Sequence, residues 1–330
     1  DGPPPAHMVQ YAARRLLMFV PVVLGVLTIV FVVLRLVPGD PAAIFVGPEG
    51  TAEDRRRVTE ALGLDKPIPV QYGIYLLRVA QGDFGRSIFL RTEVSKLIRD
   101  TFPATLELAL LAMLLTVVIA VPLGIVAATR ANTPVDLAVT VLALLGVSMP
   151  IFWFGVLAIL VFSLELGWLP SFGRGPGLFP ALRSGDLALV GQALRYALLP
   201  SLTLAVTSIA LVARLVRSSL LEILGLDYVR TARAKGASER RVVLKHAFRN
   251  ALLSVVTVLG LQFGTLLGGA VVTEVIFAWP GLGRLIVNAI NQRDYPLIQG
   301  SVVFVAVLIS LVNLLVDLSY AWINPKIRYG

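Results

Sequence analysis

The sequence predicts an all-α, polytopic membrane protein with six transmembrane helices, and three observations carry that reading. Of 330 residues, 57% are hydrophobic and only 15% charged, against about 25% charged in a soluble domain. Mean hydropathy is +0.83. Most apolar residues sit in runs that match a bilayer rather than a folded core, and the cations lie in the connections between those runs.

Taken in order, the opening "DGPPPAHM" is Pro-rich and reads as a cloning remnant, residues 1–8, ahead of the fold. Residues 9–37 form the first span. Arg14 and Arg15 precede its apolar run in the manner of a signal peptide, but no small-residue cleavage site follows, so the span stays. Residues 38–101 then make a large extracytoplasmic segment. In it "TAEDRRRVTEALGL" offers Thr51 as a helix N-cap with Glu53 and Asp54 in the first turn, and a second helix is expected over Pro69 to Gln81.

Residues 102–322 hold the remaining five spans, at about 104–128, 135–166, 196–221, 251–275 and 301–322. The second of these five is long and is interrupted by "SMP" at Ser148 to Pro150, which predicts a kinked or tilted helix. The connections 167–195 and 276–300 carry turn punctuation, "RGPGLFP" and "WPGLG". Residues 323–330 form a cytoplasmic tail.

Orientation follows from the short connections, where Lys and Arg accumulate inside. With both termini in the cytoplasm, Arg14, Arg15, Arg130, the basic stretch 228–250, Lys326 and Arg328 all fall there. Residues 38–100 carry nine basic and nine acidic residues on the outer side, which the rule tolerates because long segments translocate regardless of charge. The net charge of +9 is spread over these connections, so nucleic acid is not an expected partner.

Several chemistries are excluded by composition. There is no cysteine, hence no disulfide or thiolate site. The only histidines are His7 and His246, neither near carboxylates at ligand spacing, and no G-x-x-x-x-G-K-[ST] occurs, so the chain has no metal, cofactor or nucleotide site of its own. A proton-coupled transporter places ionisable groups at mid-membrane. Glu107, Asp136, Glu165, Glu274 and Asp317 instead lie near span ends and read as polar anchors.

The stretch "YVRTARAKGASERRVVLKHAFRN", Tyr228 to Asn250, is too charged to cross a bilayer. Tyr228 to Lys235 is compatible with a helix, Gly236 breaks it, and Ser238 is placed to N-cap a second helix with Glu239 in its first turn. At α-helical spacing Arg241, Lys245 and Arg249 form one cationic stripe. Such a hairpin suits anionic headgroups, a topology signal or a docked protein. Elsewhere, Gly260, Gly264 and Gly268 recur every fourth residue, a stripe that serves packing within the chain or against a second membrane subunit.

The basic stretch resembles the EAA loop of ABC importer permeases of the dipeptide/oligopeptide/nickel family. Arg230-Thr231-Ala232 stands at the E-A-A positions and Gly236 at the Gly, with Arg in place of the Glu. "RLVPGDP", "GDFGRS", "FPATLELAL", "VTEVIFAWPGLGRL", "RDYPLIQG" and "VDLSYAWINPKIRYG" extend the resemblance along nearly the whole chain, to the first of the two permease subunits. It implies the type I importer permease fold and a multi-pass protein of a bacterial or archaeal cytoplasmic membrane. It also implies four partners: a second permease, two cytoplasmic ATPases that bind ATP and Mg, and an extracytoplasmic substrate-binding protein. Residues 222–250 would be the coupling loop, with Arg230, Thr231, Ala232, Arg233, Lys235, Gly236, Ala237, Arg240 and Arg241 docking the ATPase. Peptide is the implied cargo, nickel or another small solute the alternative, and an ion-coupled carrier a remote one.

Overall fold

The computed structural model describes residues 5–36 and 40–323. The calls on residues 1–4, on Val37 to Gly39, on the Asp317 carboxylate and on the tail with Lys326 and Arg328 lie outside the described residues.

The described chain is helical throughout its regular structure: α1 Pro5–Leu36, α2 Pro41–Val46, α3 Ala52–Leu62, α4 Ile68–Ala80, α5 Val94–Thr129, α6 Pro134–Ser148, α7 Ile151–Ala158, α8 Leu178–Ser184, α9 Leu187–Leu224, α10 Asp227–Ala234, α11 Glu239–Arg241, α12 Arg249–Ile276, α13 Leu282–Gln292 and α14 Tyr295–Ile323. Among the described residues, five helices are long and apolar enough to span a bilayer: α1, α5, α9, α12 and α14. A sixth span arises if α6 and α7 are counted together. The interruption at Ser148 to Pro150 is therefore sharper than a kink, because the two helices meet at 108°. Pro150 caps α7 with extended backbone and cannot continue α6, and α7 runs on into a π-helical stretch, Ile159–Glu165.

The central helix is α9, packed against α5, α6, α7 and α12. Small residues let it do so: a Cβ on Gly124 of α5 would lie 2.6 Å from Val216 Cβ and 2.7 Å from the Ala213 carbonyl oxygen. Helix α1 lies at the periphery against α14, with Leu17, Ile29 and Val33 exposed, the pattern of a lipid-facing span. Its C-terminal end is tied to α4: Thr28 and Tyr72 hydroxyls share a 2.6 Å hydrogen bond, and Arg35 donates to Gln71 Oε1 at 2.8 Å.

At one end of the bundle, helices α2 to α4 and α13 build a cap. Thr51 caps α3 in a reciprocal capping box with Asp54, as its sequence predicts. Buried carboxylates join distant segments here. Glu274 accepts from Thr105 Oγ1 at 2.6 Å and from the Arg284 amide at 2.9 Å, so it satisfies the first turn of α13. Trp279, fully buried, donates to the Ala104 carbonyl at 2.9 Å. Asp294 accepts from Ser87 Oγ at 2.5 Å and from the Leu297 amide at 3.3 Å, which caps α14 and pins "GDFGRS" to "RDYPLIQG". Glu107 is paired with Arg174 and accepts from the Leu178 amide at 2.8 Å, holding the 167–195 connection to α5. The WPGLG turn is thus a structural joint: apart from Pro280 its residues are buried rather than offered to a partner.

Candidate functional site

The opposite end of the bundle carries the hairpin between α9 and α12. Helix α10 opens at Leu226 and ends in a Schellman motif: the Gly236 amide donates to the Arg233 carbonyl at 2.9 Å and the Ala237 amide to the Ala232 carbonyl at 3.2 Å. This demands the left-handed region at Gly236, whose φ is +82°. Space does not demand it, since a Cβ there would meet nothing within 4 Å.

Beyond the turn the chain departs from the α-helical expectation. Ser238 occupies the N-cap position in extended backbone, but its side chain makes no capping bond. Its neighbour Glu239 reaches back instead, accepting from Arg233 Nε at 3.1 Å and Nη2 at 2.7 Å. These bonds hold the Glu239 carboxyl below the usual carboxylate range and raise the Arg233 guanidinium. Helix α11 is a single short turn, followed by a π-helical segment, Val242–Phe248. The wider π turn removes the strict i, i+4 register expected of Arg241, Lys245 and Arg249, although all three remain exposed.

The hairpin has two faces. On one, Val243 and Ala247 are buried against Ala128 of α5 and Leu220 of α9, with Ile125, Leu224 and Phe248 packed around them. Val229 and Val242 are fully buried as well. Tyr228 closes the base: its hydroxyl accepts from Asn250 Nδ2 at 2.7 Å and donates to the His246 carbonyl at 3.3 Å. On the other face, Arg230, Thr231, Arg233, Lys235, Gly236, Arg240 and Arg241 are exposed, with Ala232 and Ala237 half-buried between them. Lys235, Arg240 and Arg241 form no ion pair among the described residues, while Arg230 makes only a loose, exposed pair with Asp227 at 3.6 Å.

The structure does not bring the glycine stripe to this site. A Cβ on Gly260 would clash with Val316 of α14 at 2.6 Å, and one on Gly264 would touch Asn313 Oδ1 at 3.4 Å, so both serve packing within the chain. Gly268 is exposed beside Leu261 and Thr265. The anchors Glu107, Asp136 and Glu274 are all engaged by fixed partners, Asp136 by Arg217 at 2.5 and 2.7 Å. The sequence sets Val243, Ala247 and the Val242–His246 edge on faces away from the cationic stripe, but it does not give their partners, Ala128 and Leu220.

Residues 120–329 match the model of the family described as binding-protein-dependent transport system inner membrane component, and residues 8–109 match its N-terminal companion. The chain is 42% identical to the dipeptide transport system permease protein DppB of Alkalihalophilus pseudofirmus, covering 98% of this chain and 100% of the relative. It is 44% identical to the glutathione transport system permease protein GsiC of Salmonella choleraesuis, again over 98% and 100%. Among solved structures, an inward-facing MetNI methionine ABC transporter superposes with a TM-score of 0.52 at 21% identity, covering 69% of this chain and 96% of that one, which is a likeness of fold.

Proposed function

The chain belongs to the family of binding-protein-dependent transport system inner membrane components, and from that premise we propose that it forms half of the translocation pathway of an ATP-driven importer for short peptides. Peptide cargo is supported by the relatives, named for dipeptide and glutathione transport. The protein sits in the cytoplasmic membrane with both ends inside, as the basic hairpin and the positive-inside rule favour. It works with a second permease, two cytoplasmic ATPases that hold ATP and Mg, and a substrate-binding protein that meets the cap formed by residues 38–101. The outer edge of the glycine stripe, Gly268 with Leu261 and Thr265, meets the second permease.

One observation carries this reading: the hairpin is locked to α5 and α9 on its apolar face and open on its cationic face. A partner that grips the open face moves those two spans with it. The small Ala232 and Gly236 allow close approach, while Lys235, Arg240 and Arg241 meet an acidic rim. Closure of the ATPases on ATP is then passed to the bundle as rocking of packed helices.

The test uses the empty space around Gly236. In the reconstituted assembly, Gly236→Asn tolerates the left-handed φ and stays small, whereas Gly236→Trp adds bulk at a position where a Cβ itself meets nothing within 4 Å. We expect the Trp variant to lose ATPase subunits and peptide-stimulated ATP hydrolysis, and the Asn variant to keep both. Full activity in both variants would reduce the hairpin to a topology signal.

A further inference from the structure

Helices α6 and α9 touch at two levels and part between them. At the hairpin end, Asp136 pairs with Arg217. Further along, Gly146 approaches α9 so closely that a Cβ would lie 3.1 Å from Ala210 Cβ. About 15 Å of α6 separates the two contacts. In that interval lies a groove of about 220 Å³ walled by Val139, Thr140, Ala143, Leu144 and Val147 of α6 and by Ala210 and Ala213 of α9. Its polar end is Arg214, with Arg217 beyond it.

Arg217 is occupied by Asp136, but Arg214 is exposed to the groove side and has no hydrogen bond or ion pair among the described residues. A guanidinium within a membrane helix is costly unless an anion or headgroup water reaches it. An apolar channel ending in an uncompensated cation matches an amphiphile with an anionic head. We propose that this groove holds an anionic phospholipid of the leaflet on the hairpin side, its phosphate on Arg214 and an acyl chain between α6 and α9. A passage for hydrated peptide would need polar walls along its length, whereas here the only polar side chains of the lining are Thr140, Arg214 and Arg217, and the rest is aliphatic. The placement sets a lipid beside the C-terminal half of α9, the half that leads into the hairpin.

The assembled complex is purified from vesicles of equal phosphatidylglycerol and phosphatidylcholine, and the retained lipid is quantified. We expect enrichment of phosphatidylglycerol that falls about tenfold in Arg214→Gln. A similar loss is expected in Ala143→Phe, which fills the groove but keeps the charge. Arg214→Lys should retain most of the enrichment, and millimolar inorganic phosphate should not displace the lipid. Unchanged enrichment in both the Gln and Phe variants overturns the proposal, as does displacement by phosphate, which would mean a bare anion site. So does cross-linking of the second permease to Arg214→Cys, or selective loss by Arg214→Gln of transport of peptides with a free rather than amidated C-terminus. Lipid retention is read without transport, so a failure here is distinct from a failure of the importer reading.

Discussion

Glu274 shows how one side chain organises a segment that looks, in sequence, like a loop. Its carboxylate is buried, bonded to Thr105, and faces the amide of Arg284. The neighbouring glycines answer to it: a Cβ on Gly281 would lie 2.2 Å from Glu274 Oε1, and one on Gly283 would lie 2.9 Å from Glu274 Oε2. Glu274→Gln is expected to destabilise by about 2–3 kcal/mol, because its NH2 group replaces an acceptor facing buried donors. Thermal unfolding of the assembled complex checks this. Glu274→Asp, which keeps the charge, should lose less, and equal stability of wild type and Gln would mean that the carboxylate does not cap α13. Reading Glu274 as a polar anchor near a span end was right in kind. Its partners were not legible, since Thr105 is 169 positions away in the chain.

The spans themselves were legible because apolar length is a one-dimensional signal, and α5, α9, α12 and α14 stand where the hydrophobic runs stand. What escaped was geometry. Hydropathy over 135–166 is continuous, so the "SMP" break reads as a kink when the backbone turns by 108°. The π segment at Val242–Phe248 escaped for a related reason, as its residues also satisfy an α-helical pattern. Helices α5 and α9 begin at Val94 and Leu187, ahead of the expected spans, and in α5 that extra length packs on the cap through Val94 and Ile98 against Leu282 and Leu297. The close contact of α5 with α9 depends on Gly124. Gly124→Ala is expected to cost about 1–3 kcal/mol by forcing the helices apart, whereas Gly25→Ala, where a Cβ meets nothing within 4 Å, should be neutral. Matched melting curves decide it, and equal effects would show that α9 yields easily along α5.

Across the whole molecule, the cap and the hairpin stand at opposite ends of α5, about 54 Å apart for a 36-residue helix. Coupling over that distance needs rigid elements and a firm joint at the driven end. The rigid elements are α5 and α9, joined along their length through the Ala120, Val212 and Val216 cluster. The joint is the cluster of Ala128, Leu220, Val243 and Ala247. The charge of the hairpin drew attention to it in the sequence, but in the proposed coupling role its capacity to transmit motion would rest on these four uncharged residues. They separate docking from transmission, which substitutions on the cationic face cannot do. Val243→Ala removes packing worth about 2 kcal/mol from the joint while leaving every exposed cation in place. The expected result is an assembly that keeps its ATPases and hydrolyses ATP, yet moves at least about twofold fewer peptides per ATP. Proteoliposome uptake measured beside phosphate release gives that ratio. If it is unchanged although amide exchange shows the hairpin loosened, the stroke reaches the bundle by a route other than this joint.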